Sequence, residues 1–449
     1  MRSSESGRCS GSYDVVGLGF GPANLALAIA LEEHQRPVTA AFFERQTTLG
    51  WHRDMLLPSA KMQVAFMKDL ATFRNPTSRF SFVSYLHAKE RLARFVNRQD
   101  FFPTRREFHD YLQWAESAFT DRVTYGAEAI ALRLPPRADP AAPVDHVYVD
   151  VREAGSGGAV STVAARNVVI STGLVPRMPV GIERDQRVWH SSEFLGRFGT
   201  CDRAALRRVA VVGAGQSAAE VVRFLYDTLP GAAVYAILPS YGYSIAENTP
   251  FANEVFDASA IDDFHGGSQR AKDAIWRYHR NTNYSVVDDE VINDLYQRAY
   301  DDEVSGNRRL EFINLSRVTG VKDIGDSTQV TVHSLASDQA AEFTVDLVVF
   351  ATGYDAMAPG DLLGDLDAYC ARDQDGSYVV ERDYRLATST PLNCGLYVQG
   401  GTEHTHGLSS SLLSNVAVRG GEIADSIVER LPRETDSTSG GPAALSSRP

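Results

Sequence analysis

Two short glycine runs hold the residues best placed to do chemistry through their backbone. In "VVGLGFGPANLALAIA", Gly17 and Gly19 open a Gly-x-Gly-x-x-Gly turn in which Pro22 takes the third place. In "RRVAVVGAGQSAAEVV", Gly213 and Gly215 are followed by Gln216, Ser217 and Ala218, a Gly-x-Gly-x-x-Ala turn. Glycines so spaced let the chain bend tightly and approach a pyrophosphate, while the helix that follows aims its first N–H groups at the anion. Pro22 suits the first turn of such a helix, where a missing N–H costs little. Glu44, 25 residues after Gly19, ends the strand-like "AAFFE" near the spacing at which an acid holds a ribose. The matching strand of the second unit, "AVYAILPSY", ends in no acid. That favours NADPH, because a carboxylate would repel its 2′-phosphate. No Arg or Lys follows immediately either, so the choice between NADPH and NADH stays open.

The elements that must position these turns are legible around them. "YDVVGLGFG" and "RRVAVVGAGQ" are strand-like and each leads into a helix-like run. The turns lie 196 residues apart (213 − 17), the length of a domain, so two nucleotide sites are expected. Two further strand-like runs, "RNVVISTGLVPRMP" and "DLVVFATGYD", each reach a Thr-Gly turn. The expected fold is α/β, with two Rossmann-like dinucleotide-binding domains for FAD and NADPH and a small substrate-binding region between them. Residues 13–200 would form the first part of the FAD domain and 341–430 its second part. Residues 205–340 would form the NADPH domain, with a substrate-binding segment at about 245–300. The Ser-, Gly- and Pro-rich ends, 1–12 and 431–449, read as disordered tails.

Composition narrows the function. A net charge of −13 argues against nucleic acid or an anionic membrane as the main partner. With 43% hydrophobic and 22% charged residues, the chain has the balance of a soluble globular protein. The start shows no apolar signal-peptide core, and no run is long enough to span a bilayer, so a cytoplasmic enzyme is expected. Cys9, Cys201, Cys370 and Cys394 are scattered and form no Cys-x-x-Cys, which sets disulfide reductases aside. His404 and His406 in "EHTHG" lack a third metal ligand, so no metal is expected. The acidic runs "VVDDE" and "YDDE" read as solvated helix faces. With two nucleotide sites in one chain, electrons would pass from nicotinamide to flavin.

Over roughly residues 13 to 430 the chain resembles the flavin-dependent N-hydroxylating monooxygenases, in particular the bacterial L-ornithine N5-monooxygenases of hydroxamate siderophore and related pathways. The resemblance rests on "GLGFGPANLALA", "WHRDMLLPSAKMQVAFMKDLATFRNPTSRFSFVSYL", "FPTRREFHDYLQWA", "VVGAGQSAAEV", "NTPFANEVF", "YHRNTNYSVVDDE", "DLVVFATGYDAMAP" and "THGLSSSLLSN". Pro22 is the residue this family carries in its first turn. The resemblance implies Trp51, His52 and Gln63 around the flavin, with Gln63 and Asn283 also catalytic. It implies Lys68 on the substrate carboxylate, and Asn253 and Asn283 on the amino acid and its amine. Leu408 and Ser410 would line the same pocket, Leu408 also touching FAD, and Gln216 and Ser217 would contact NADPH. Many relatives carry an Arg after the second strand of the NADPH domain; this chain has "PSYGY" there. The implied reaction uses NADPH and O2 to convert L-ornithine to N5-hydroxy-L-ornithine through a C4a-hydroperoxyflavin. Lysine N6-hydroxylation, a peroxide-producing NADPH oxidase and a non-catalytic flavin module are the alternatives. Relatives suggest a homotetramer. A C-terminal helix beginning near Leu408 would point its positive end at the flavin.

Overall fold

A computed structural model describes residues 9–136, 142–154, 157–282, 284–389 and 392–432. Its first sheet is built on strand Cys9–Leu18, which lies parallel to Ala40–Glu44 on one side and to Val160–Ile170 on the other. Val123–Tyr125 extends the parallel order outward, and Gly395–Val398 joins the end of Val160–Ile170. Two antiparallel strands, Val147–Glu153 and Ala127–Arg133, complete seven. "VVGL" is apolar at every position because both faces are covered. Val15 packs into a core with Leu25, Ile29, Ile423 and Ile427 of helices Pro22–Glu32 and Val416–Arg430. Val16 and Leu18 face the other way, toward Val149, Leu132 and Leu363.

The second sheet has five parallel strands in the order Leu310–Ile313, Ala233–Ile237, Arg208–Val212, Leu347–Phe350, Val188–His190. Helix Gln216–Thr228 covers one face, and a three-stranded antiparallel sheet (Ser316–Asp323, Thr328–Ser334, Ala340–Val345) covers the other. Both expected domain limits therefore move. The sequence bounds put Val188–His190 in the first part of the FAD domain and Leu347–Phe350 in its second part, yet both are strands of the second sheet. The two chain crossings between the sheets lie side by side, Leu174–Pro176 pairing antiparallel with Tyr354–Ala356.

Residues 9–12, in the N-terminal tail by composition, belong to the first strand, Cys9 and Ser12 in register with Thr162 and Ala164. Residues 1–8 lie outside the described ones. At the other end, Leu431 is buried, and its carbonyl and that of Pro432 accept from the Arg36 guanidinium. Residues 433–449 lie outside the described ones.

The substrate-binding segment straddles the two units. Its short helices Pro250–Asn253, Ala258–Gly266 and Gln269–His279 leave the second sheet and pack back on the first domain. Asn415 Nδ2 donates to the Phe256 carbonyl at 2.7 Å, His265 Nε2 lies 3.1 Å from the Val380 carbonyl, and Arg382 pairs with Asp262 at 2.6 Å. Helix Asp289–Ser305 then returns to the second core through Val291 and Leu295.

Candidate active site

Each glycine turn is required by the sheet behind it. Gly19 has φ +84°, and a Cβ there would stand 2.4 Å from the Ser171 carbonyl oxygen. Gly213 has φ +144°, and a Cβ there would stand 2.4 Å from the Ala351 carbonyl oxygen. Gly17 is extended but pressed against the Phe42 ring. The helices beyond both turns start on a glycine, Gly21 and Gly215, without a side-chain cap, and Pro22 stands in the first turn of the former. Two helix N-termini whose N–H groups no side chain takes among the described residues are a donor set that fits a pyrophosphate at each turn. Glu44 is buried, its two carboxylate oxygens accepting from Phe20 N and Gln46 N at 2.8 Å each. Each oxygen keeps a second lone pair for a ribose hydroxyl.

The turn at Gly19 also carries an amide that the sequence reading missed. Asn24, alone in an apolar helix, donates to the Gly19 carbonyl at 2.7 Å and accepts from Gln399 Nε2 at 3.0 Å. Gln399 in turn faces Arg419, which is fully buried and donates to the Ser410 carbonyl. Burial lowers the Arg419 pKa, and among the described residues no carboxylate pairs with it. A polar residue inside "PANLALAIALE" was the available signal.

Between the sheets, Trp51 packs edge-on to His52 at 5.0 Å and against Phe108 at 5.9 Å. His52 has φ +45° and faces Tyr354 at 5.8 Å. Its residue is open to solvent although protein surrounds it, as on the wall of a cleft. Desolvation, with the nearby Arg105 charge, holds its pKa down to about 4, so the ring is neutral. Tyr354 leads on to His190, which is wholly buried. The Ser192 N–H donates to His190 Nδ1 at 3.1 Å, so the proton sits on Nε2, which donates to the Gly353 carbonyl at 3.1 Å. His190, not anticipated from sequence, thus holds the Thr-Gly-Tyr turn.

Gln63, Gln216 and Asp288 meet at one point. Asp288 accepts from Gln63 Nε2 at 3.0 Å and from Gln216 Nε2 at 2.9 Å, and its own N–H donates to Gln216 Oε1 at 2.8 Å. Gln216 also donates to Glu220, which takes a two-pronged Arg105 at 2.7 and 3.1 Å. Burial pushes the Glu220 carboxyl up against the pull of Arg105. "VVDDE" is therefore not a plain solvated face. Nor is "YDDE": Asp302 is buried and accepts from Tyr226 and from the backbone of Arg309 and Leu310. Period-based reading misses both, because an acid on a helix is solvated unless a distant element supplies donors.

The remaining expected residues are dispersed around the substrate segment. Lys68 is half-buried, its ammonium 5.9 Å from the Phe256 ring, and among the described residues it makes no ion pair. Asn253 spends its amide on Asn248 at 2.8 Å and the Thr249 carbonyl at 3.1 Å. Ser217 sits half-buried in the first turn after Gly215. Leu408 is buried and lines a pocket of about 230 Å³ with Phe251, Phe264, His279 and His406. Ser410 is fully buried, and its hydroxyl has no partner among the described residues. Asn283 lies outside the described residues. The C-terminal helix begins at Val416, not near Leu408; the intervening chain holds a short helical turn, Leu413–Asn415. His404 and His406 go to the Tyr378 and Arg382 carbonyls, and His406 stacks on Tyr384 at 4.1 Å.

Comparison with known proteins agrees with this architecture. The family described as L-lysine 6-monooxygenase/L-ornithine 5-monooxygenase matches residues 11–356. The L-ornithine N(5)-monooxygenase of Pseudomonas aeruginosa is 36% identical, over 93% of this chain and 94% of that protein. The ornithine N-hydroxylase of Kutzneria sp. 744, solved with reduced FAD, NADP+ and L-ornithine, superposes with a TM-score of 0.90 at 62% identity, covering 93% of this chain and 99% of that one. The L-lysine 6-monooxygenase of Pseudomonas syringae superposes with a TM-score of 0.80 at 29% identity, covering 94% and 100%.

Proposed function

The chain belongs to the L-lysine 6-monooxygenase/L-ornithine 5-monooxygenase family, and on that premise we propose that it hydroxylates the side-chain amine of L-ornithine at N5. The observation that carries the choice of ornithine is the 62% identity to a hydroxylase solved with that amino acid, against 29% to a lysine enzyme. FAD, reduced by NADPH, would supply the activated oxygen of O2 when both are bound. Gly17, Gly19, Pro22 and Glu44 would hold FAD, with Trp51, His52, Gln63 and Leu408 around its ring. Gly213, Gly215, Gln216 and Ser217 would hold NADPH.

The rest falls to this chain's own side chains. Lys68, with no carboxylate partner among the described residues, supplies the cation for the substrate carboxylate. Asn253 and Ser410 complete that end of the pocket, and Leu408 gives it an apolar wall. The reacting amine must be neutral, whereas an alkyl ammonium in water has a pKa of about 10.4. Desolvation lowers that value, and amides at Asn283 and Gln63 offer acceptors without the negative charge that would keep the proton on nitrogen. The neutral ring of His52 likewise brings no charge to the cleft. Of the finer expectations, a hydroxamate siderophore or related product and a homotetramer rest on the resemblance, and a cytoplasmic location on the composition of the sequence.

The test is NADPH consumption against hydroxylamine product with ornithine and with lysine. Product matching NADPH use with ornithine is expected. Peroxide alone would put the oxidase in its place, and preferred turnover of lysine would move the substrate.

A further inference from the structure

Asp288 stands where three functions meet, and its geometry differs from that of an ordinary helix-starting aspartate. It is the N-cap of helix Asp289–Ser305, yet its carboxylate makes no capping bond to that helix. Both oxygens go to other elements: one to Gln63, from the flavin domain, and one to Gln216, the first helical residue after the nicotinamide turn. An ionised carboxylate only accepts, so both glutamines must present their NH2 to it. That fixes each amide's direction. Gln216 turns its carbonyl to the Asp288 N–H, closing a two-point dock, and Gln63 turns its carbonyl away from Asp288. The loop that precedes Asp288 runs directly over the glycine turn: a Cβ on Gly215 would lie 3.8 Å from Ser285 Cα. The same loop is stitched to the strand exit by Val287 N to Ser244 O at 2.9 Å and Ala246 N to Val287 O at 3.1 Å.

We propose that Asp288 is a positioning residue that ties the nicotinamide turn, the Gln63 amide and the substrate loop into one unit, so that nicotinamide nucleotide and ornithine bind cooperatively. The proposal rests on the assigned FAD, NADPH and ornithine sites. A nucleotide that orders the turn at Gly213–Ser217 orders Gln216, and through Asp288 the Gln63 amide proposed to face the substrate amine. By reciprocity, ornithine that orders Gln63 tightens the nucleotide by the same factor. Neither glutamine needs to move far; the carboxylate removes their freedom to flip.

The experiment titrates NADP+ into the FAD-loaded enzyme, with and without saturating L-ornithine, and follows the flavin spectrum. In the native protein ornithine should tighten NADP+ by roughly fivefold or more, the lower end of measured couplings. Asp288→Ala should weaken NADP+ about tenfold and bring the ornithine effect to none, as expected for lost hydrogen bonds to a charged group. Asp288→Asn, with one acceptor oxygen for two NH2 groups, should fall between. Asp289→Asn, which leaves the node intact, should behave as the native protein. Flavin content and Tm are measured on all four proteins. Because the carboxylate does not cap its helix, the Asp288 variants should keep their flavin and the fold, with Tm lowered only by the two lost amide contacts. Coupling that persists in Asp288→Ala, or that is missing from the native protein, overturns the proposal. So does a fall in Tm and flavin content with the coupling factor unchanged, which is what a merely structural residue gives. If Asp288→Ala does not fold, Asp288→Asn decides by the same criteria. Failure of the native enzyme to hydroxylate ornithine would instead overturn the functional reading, and that is seen separately in the product assay.

Discussion

Lys68 is a cation held half-buried beside Phe256 with no carboxylate to neutralise it among the described residues. A charge-assisted contact to the substrate is the interaction its truncation removes, about 1.5–3 kcal/mol. Lys68→Ala should therefore raise the KM for ornithine by ten- to a hundredfold, in order of magnitude, and leave FAD reduction by NADPH nearly untouched. Ornithine saturation unchanged in the variant would remove Lys68 from the pocket. Gly19 yields a sharper expectation. Its left-handed φ and the Ser171 carbonyl behind it leave no place for a methyl group. Gly19→Ala should be purified with little bound flavin, and full flavin occupancy would show that the turn can rearrange. Single residues with a fixed chemical type were the legible part of this site. Gly17, Gly19, Gly213 and Pro22 announce their backbone geometry by identity alone. Asp288, Asp302 and Arg419 did not, because their roles depend on donors and acceptors from elements distant in sequence.

At the scale of elements, strands and helices were read where their own pattern states them, and misplaced where it does not. Leu347–Phe350 is apolar throughout and ends in Thr-Gly, as a strand of either sheet would; which sheet it joins depends on pairing with Arg208–Val212, far away in sequence. The same ambiguity moved Val188–His190. His190 gives that strand a property that can be measured. Protonating Nδ1 would set two N–H groups against each other, that of the ring and that of Ser192. Burial lowers the His190 pKa to about 4 and that of His406 to about 3, against about 6.5 for an unfolded chain. The unfolded state then binds more protons between these values, so stability is fully present above about pH 6.5 and is lost as pH falls through about 4 for His190 and about 3 for His406. Thermal unfolding should show Tm falling through that window, with a shallower slope for His190→Gln. A flat profile between pH 7 and 5 would mean that these rings are already charged in the fold.

For the whole molecule, the two nucleotide turns belong to separate sheets, with the substrate segment packed across both. The nicotinamide preference belongs to this scale, because the turn proposed to hold that nucleotide, Gly213–Ser217, lies on the second sheet alone. Strand Ala233–Ile237 ends without an acid, so NADPH should reduce the flavin faster than NADH; equal rates would show that no 2′-phosphate site exists. The paired crossings, Leu174–Pro176 with Tyr354–Ala356, carry a different consequence. Entry and exit of the second domain are neighbours, joined by the ribbon itself, by Arg177 N to the Gly353 carbonyl at 3.0 Å and by Arg177 to Asp355 at 2.8 Å. In topology the second domain is a graft at the tip of a hairpin. The host chain on either side of the graft is already brought together, as in a protein into which a complete module has been spliced. Covalently the second domain hangs on that stem alone, so any swivel of one domain on the other turns about it. Such a swivel must first break the side-chain contacts that also join them, such as Arg105 with Glu220 and Arg382 with Asp262.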